Sequence, residues 1–197
     1  MARDNSRETI LDRAVQMASV QGLDGLSIGG VAAAVAMSKG GICAHFPSKS
    51  SLQAAVVERA AEVFRAAVVE PIFSRPPGLA RLHALTDAWF AYLAAETFEG
   101  GCFFTNALLE LDNLEEVEAR SAVAGQYGRY LDLIERLAVE AIARGELLAD
   151  LDPRRFAFEL LGSQLGVLVW RGLGKIEQGF SLARAATDDL IARSAAA

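Results

Sequence analysis

Ser27, Ser38, Lys39, His45 and Lys49 carry most of the polar chemistry between residues 27 and 49. Two hydroxyls, two ammoniums and an imidazole are donors to anionic oxygen, and no carboxylate–nucleophile pair stands among them. Gly40 and Gly41 lie side by side in the middle of this set, in "MSKGGICAHF". Glycine costs about 1 kcal/mol relative to alanine inside a helix. A helix that accepts it twice gains something from being thin.

Other chemistries fit less well. Cys43, Cys102, His45 and His83 are the whole cysteine and histidine complement, which assembles no zinc pattern and no disulfide framework. "GLSIG" at 25–29 has the spacing of a nucleophile elbow, but that motif needs a strand before its serine, and here a helical pattern and a turn precede Ser27. "GLGKIEQG" at 172–179 fits neither a P-loop nor a dinucleotide fingerprint. The pairs Glu115/Glu116 and Asp188/Asp189 sit in polar, solvated stretches. The sequence therefore names no catalytic residue, no metal and no cofactor, and an enzyme is not expected.

The 197 residues are 52% hydrophobic and 22% charged, a globular composition. The N-terminus mixes both charge signs and lacks an apolar core, so it does not read as a signal peptide. The longest apolar stretch, "LLGSQLGVLVW" after Glu159, is too short to span a bilayer. A cytoplasmic protein with reduced thiols is expected, without membrane association. Net charge is −6, but residues 1–52 hold five basic and four acidic side chains. A polyanion-facing N-terminus on an acidic body is the reading of that asymmetry.

Helical periodicity positions these residues. Ser6 is read as the cap of a first helix with Ile10, Ala14 and Ala18 on one face and Gly22 at its end. Ser27 caps a short second helix, "IGGVAAAVA", and Ser38 a shorter third. Ser48 opens a helix over 48–69. "SRPPG" at 74–78 breaks the chain, and the helical period resumes over 79–97. Asn113 with Glu116 forms a capping-box pattern for a long helix ending at Gly145. Asp152 before Pro153 starts the next, and Ser181 is read as the cap of the last. No strand pattern appears. The expectation is all-α, about nine helices, with an N-terminal three-helix bundle and a larger C-terminal helical domain.

A capped helix, a tight turn and a slim second helix describe a helix-turn-helix. The thin third helix suits a major groove about 12 Å wide. Its glycines allow close approach, Lys39 is placed for a base edge or phosphate, and Ser38 for a phosphate.

Residues 7–52 resemble the DNA-binding domain of the tetracycline-repressor (TetR) family. The matching elements are Ile10-Leu11, Gly22, Ser27, Val31-Ala32, Met37-Ser38-Lys39-Gly40 and His45-Phe46-Pro47-Ser48-Lys49. The resemblance implies a DNA interface of Ser27, Ser38, Lys39, Gly40, Gly41, Ala44, His45 and Lys49. It departs from the family at Cys43 and Ala44, where tyrosines are common and one contacts a phosphate. Affinity is then expected to lean on Ser27, His45 and Lys49. The implied division is a DNA-binding part at 1–50, a connecting helix at 48–69, and an effector-binding and dimerisation part at 51–197.

Two features of the C-terminal part agree with that implication. "LLGSQLGVLVW" is apolar nearly all round, and Gly162 and Gly166 would let another helix approach. A homodimer through helices near 153–174 and 181–193 is expected, reading a palindromic operator in double-stranded DNA. Aromatic residues with sparse polar groups between 79 and 130, with Gln164, suggest a pocket for a small hydrophobic or aromatic effector. The candidate lining is Trp89, Tyr92, Phe103, Asn106, Glu110, Tyr127 and Gln164. The resulting expectation is a bacterial, ligand-responsive regulator, a repressor released by its effector. Two alternatives stand beside it: a helical binding protein with a degenerate helix-turn-helix, and a redox or electrophile sensor using Cys102 at a helix start.

Overall fold

The computed structural model describes residues 2–110 and 117–196, with side chains from Ser6 onward. Nine α-helices occur among them: α1 (Ala2–Gln21), α2 (Ile28–Ala34), α3 (Lys39–Cys43), α4 (Lys49–Phe64), α5 (Leu79–Ala94), α6 (Phe103–Leu109), α7 (Val117–Ala143), α8 (Pro153–Gly172) and α9 (Ile176–Ser194). The only β pairing among the described residues is a bridge between Leu147 and Ala195. The chain is all-α, as its periodicity requires. No described helix is long and apolar enough to cross a membrane.

By contact, the chain divides into two compact units. One comprises Met1–Phe64 with Ala95–Tyr127, the other Arg65–Ala94 with Gly128–Ala197. In this division α4 and the segment 95–127 pack with the N-terminal helices.

In the first unit, α1 contributes Ile10, Leu11, Ala14, Val15 and Ala18 to the core. α1 packs against α2 and α4, and α2 against α3; Val31 and Ala32 of α2, Ile42 of α3, Phe46, and Leu52, Val56 and Ala60 of α4 are all buried. The serine caps form as expected. Ser27 Oγ accepts from Gly30 N at 3.0 Å and Ser38 Oγ from Gly41 N at 3.1 Å. Ser48 and Ser51 bond reciprocally at 3.0 and 3.1 Å. Each satisfies amides that a helix start leaves unpaired. At the beginning of the first helix the expectation fails: α1 starts at Ala2, so Ser6 lies inside it. Nothing in residues 2–5 breaks a helix, and an interior serine costs only a few tenths of a kcal/mol.

The segment 97–110 is sewn to the end of α1. Gln16 donates through Nε2 to the Thr97 carbonyl at 3.0 Å and accepts from Glu99 N at 2.9 Å. Gly100 N donates to Ser19 Oγ at 3.0 Å. Asn106 Nδ2 donates to the carbonyls of Ser19 at 3.1 Å and Gly100 at 3.0 Å. Leu23 N donates to Glu110 Oε2 at 3.1 Å. Gly100 is required by the closeness of this seam, because a Cβ there would overlap the Ser19 carbonyl.

The second unit takes over where α4 ends. The helical run expected over 48–69 continues, but as a π-helical turn at Arg65–Val69, followed by a 3₁₀ turn at Glu70–Ser74 that contains Pro71. The start of α5 is capped from afar: Gly78 N donates to Glu140 Oε2 at 3.1 Å, and Leu79 N to Glu146 Oε2 at 2.6 Å. Asp152 caps α8 as predicted, accepting from Arg154 N at 2.9 Å, with Pro153 in the first turn. α8 and α9 pack against each other. α9 begins at Ile176 and not at Ser181, which lies one turn inside it. Gly179, inside α9, is where that helix crosses Trp170, and a Cβ there would come within 2.7 Å of the Trp170 Cβ. The capping-box pattern at Asn113 and Glu116, and the Glu115/Glu116 pair, lie outside the described residues.

Candidate nucleic-acid interface

α3 buries one side chain, Ile42, and turns Lys39, Gly40, Cys43 and Ala44 to solvent. Those four occupy one face, because residues spaced by four return to the same side of a helix. Phe46 anchors the far end: its N–H donates to the Ile42 carbonyl at 2.8 Å, and its ring is 2% exposed. The helix is thus held by two apolar side chains from beneath while its outer face stays nearly free of bulk. Gly40 has open space at its Cβ position. Gly41 is half-buried, and a Cβ there would sit 3.2 Å from the Met37 Cε. The thinness that the glycines confer is real, and it is on the exposed side at Gly40.

The expected contact residues divide by environment. Ser27 and Ser38 are exposed, and each hydroxyl oxygen accepts a backbone N–H while its own O–H can still donate. His45 is half-buried, its ring 6.2 Å from Phe46. Lys49 is engaged with Asp24 at 3.0 Å. That pair is solvent-exposed and worth little, so a phosphate can compete for the ammonium. Other carboxylates of the unit are also neutralised, Asp12 by Arg59 at 2.8 Å and Glu99 by Arg13 at 3.6 Å. Sequence reasoning did not anticipate the contact of Arg7 with Phe46, whose ring centre lies 5.3 Å from the guanidinium. Nothing in the spacing links positions so far apart in the chain.

The residues read as an effector pocket fall in both units. In the second, Trp89 and Tyr92 are buried on α5, and Gln164 of α8 is bonded with the Tyr130 hydroxyl at 3.0 to 3.1 Å. In the first, Phe103 is fully buried, and Asn106 and Glu110 spend their polar groups on α1 and Leu23. Tyr127 shares a hydrogen bond of 2.7 Å with Thr105. Burial, then the charge of Cys102, push the Tyr127 phenol up from 10.0, while the Thr105 bond pulls the other way. Cys102 precedes α6 without capping it and is 3% exposed, whereas Cys43 is exposed.

A separate cleft of about 290 Å³ lies in the second unit, among Leu151, Phe156 and Leu190, with Arg155, Glu159 and Arg193 at its rim. Glu159 joins both arginines. Its carboxyl is held below the usual value, first by the Arg155 hydrogen bond. None of the expected pocket residues lines this cleft.

A serine-capped slim helix, displayed on a three-helix core, is the architecture of a helix-turn-helix transcriptional regulator. A family described as bacterial regulatory proteins, tetR family, matches residues 10–56. Another, described as tetracyclin repressor-like, C-terminal domain, matches residues 78–187. The chain belongs to the TetR family of DNA-binding transcriptional regulators. Among solved structures it is similar to a TetR regulator from Chloroflexus aurantiacus, at 25% identity and a TM-score of 0.85 over 100% of this chain and 99% of that one. A TetR-family regulator from Agrobacterium tumefaciens shares the fold at 21% identity and a TM-score of 0.84, over 98% and 100% of the two chains. A regulator from Saccharomonospora viridis, solved in complex with choline, does so at 19% identity and 0.80, covering 98% of each. No match is found among curated proteins.

Proposed function

We propose that the chain is a cytoplasmic repressor that binds a palindromic operator as a homodimer and leaves it when a small apolar or aromatic effector binds. The observation that carries DNA reading is the outer face of α3: Lys39, Gly40, Cys43 and Ala44, held by Ile42 and Phe46 beneath. Lys39 offers donors to guanine O6 and N7 or to a phosphate, and the Ala44 methyl suits a thymine methyl. Ser27, Ser38, Gly41, His45 and Lys49 flank that face as phosphate contacts and close-approach positions.

Dimerisation is assigned to α8 and α9. Phe158, Gly162, Leu165 and Val169 follow one another at helical spacing along α8, with Leu173 at its C-cap, and Phe158 is 76% and Val169 65% exposed. Large apolar side chains in such a row fit a partner surface better than water. Gly162 and Gly166 have open space at their Cβ positions, as a close helix crossing requires.

For the effector, Trp89, Tyr92 and Gln164 of the second unit are the favoured contacts. They combine aromatic bulk with one buried amide. Phe103 and Tyr127 are the candidates in the first unit. A coupling of about 1–3 kcal/mol would change operator affinity roughly 5–150-fold. The second reading, a sensor based on Cys102, draws on the proximity of that thiol to Tyr127, but the burial of Cys102 disfavours attack by an oxidant.

The test is fluorescence anisotropy with duplex DNA from the chain's own upstream region or from random-library selection, across a salt series, with Lys39→Ala alongside. Sequence-selective, salt-sensitive binding that Lys39→Ala weakens or relaxes supports the reading. Binding no tighter than to random duplex from either source replaces it with a helical binding protein whose helix-turn-helix has degenerated.

A further inference from the structure

We infer that Arg7 of α1 is a second cationic contact to the DNA backbone, held in place by the Phe46 ring. The inference rests on the reading of α3 as the DNA-reading helix and deepens it. Three observations carry it. The Arg7 guanidinium lies 5.3 Å from the Phe46 ring centre, a cation–π distance. Phe46 is itself tied to α3 through its N–H bond to Ile42 and is almost wholly buried. The charge of Arg7 is thereby indexed to the recognition helix and not merely displayed on α1.

The second observation is what the other cations of α1 to α4 are doing. Arg13, Lys49 and Arg59 each have a carboxylate within ion-pair distance, on Glu99, Asp24 and Asp12 respectively. Among the described residues, Lys39 and Arg7 have no such pairing. Those two charges can meet a polyanion without first giving up a carboxylate, whereas Lys49 must exchange its weak, exposed pair with Asp24. The third is the composition of α2 and α3, whose exposed positions are glycine, alanine, serine and cysteine apart from Lys39. The two helices that face a groove supply little phosphate affinity of their own. Stacking leaves the planar guanidinium edge free to donate, which is the geometry that recognises a phosphate with two parallel bonds.

The experiment compares wild type, Arg7→Gln, Arg7→Lys and Lys39→Ala in anisotropy titrations on a selected operator and on mismatched variants. It is run at several salt concentrations, below the unfolding midpoint of every variant. Arg7→Gln is expected to weaken binding about tenfold on all sequences alike. The slope of log affinity against log salt should become shallower by about 0.9 for each phosphate that is no longer neutralised. Arg7→Lys keeps the charge and gives up the stacking, so its slope should match wild type with an intermediate affinity. An Arg7→Gln variant with unchanged slope overturns the inference, whether its affinity is intact or lowered by a loosened α1. In that case a Lys39→Ala defect shows that the DNA-reading proposal still stands, and an intact Lys39→Ala shows that both have failed.

Discussion

The side-chain amide of Asn106 bridges two carbonyls, those of Ser19 at 3.1 Å and Gly100 at 3.0 Å. One belongs to the last turn of α1 and the other to the loop before α6, so a single residue closes the seam between them. Its donors are matched to partly buried acceptors, and removing them strands both carbonyls. Asn106→Ala is expected to destabilise the chain by about 1–3 kcal/mol. Chemical denaturation measures this, and an unchanged midpoint would show that water replaces the amide at no cost.

The same seam explains what is legible in the sequence and what is not. The serine caps, Gly22 and the Asp152-Pro153 start are readable because each joins a side chain or turn to amides only two to four residues away. Ser181 misleads because a serine that can cap a helix can also lie inside one, and α9 starts earlier, at Ile176. Asn106 and Glu110 read as pocket polars because they stand among aromatics. Their partners, Ser19 and Leu23, lie more than eighty positions earlier, and no spacing rule reaches that far. The helix-turn-helix is legible through a pattern of many short-range elements, whereas the contact of Arg7 with Phe46 is not, because the two are far apart in the chain.

Gly100→Ala tests the closeness of the seam. A Cβ at this position overlaps the Ser19 carbonyl, which is backbone and cannot rotate away. The variant must shift the loop off α1 or fail to fold. A drop in melting temperature well beyond that of Asn106→Ala is expected in a thermal scan. Equal stability would mean that the loop moves freely and that the seam is not tight.

Ala36, in the turn between α2 and α3, has a φ of 53°. Left-handed backbone costs a side-chain-bearing residue about 1–2 kcal/mol. Ala36→Gly removes this strain but adds flexibility to the unfolded chain, which returns about 0.4–1 kcal/mol of the gain. A net stabilisation of roughly 0.5–1 kcal/mol is expected, read as a raised denaturation midpoint with unchanged cooperativity.

Acid should act through Glu146. Its carboxyl is held below the usual 4.5, first by the Leu79 N–H and then by Arg144. A depressed folded-state value means that the unfolded chain binds the proton more readily. The stabilisation is present above 4.5 and is lost as pH falls through the lower folded value. Glu146→Gln should lower the neutral plateau of a stability–pH profile toward its acid end, and so flatten the acid limb, because the carboxylate's stabilisation is present only above that limb. A variant with an unaltered acid limb would assign that limb to other carboxylates.

The row of apolar side chains on α8 yields a prediction about assembly. Phe158 and Val169 stand 76% and 65% exposed on the face that also carries the open glycines. In a dimer both become buried, and a charge placed there would be desolvated against a second copy of itself. Phe158→Glu and Val169→Glu are expected to leave the helical signal intact, because neither side chain belongs to the core. In sedimentation or light scattering the mass should fall to the 21.0 kDa of a single chain. Operator binding should weaken with it, since two half-sites read by separate monomers lose the advantage of linkage. Should both variants remain dimeric, this face of α8 is not the interface. Should they become monomeric and bind DNA as well as wild type, the two-fold operator geometry is wrong.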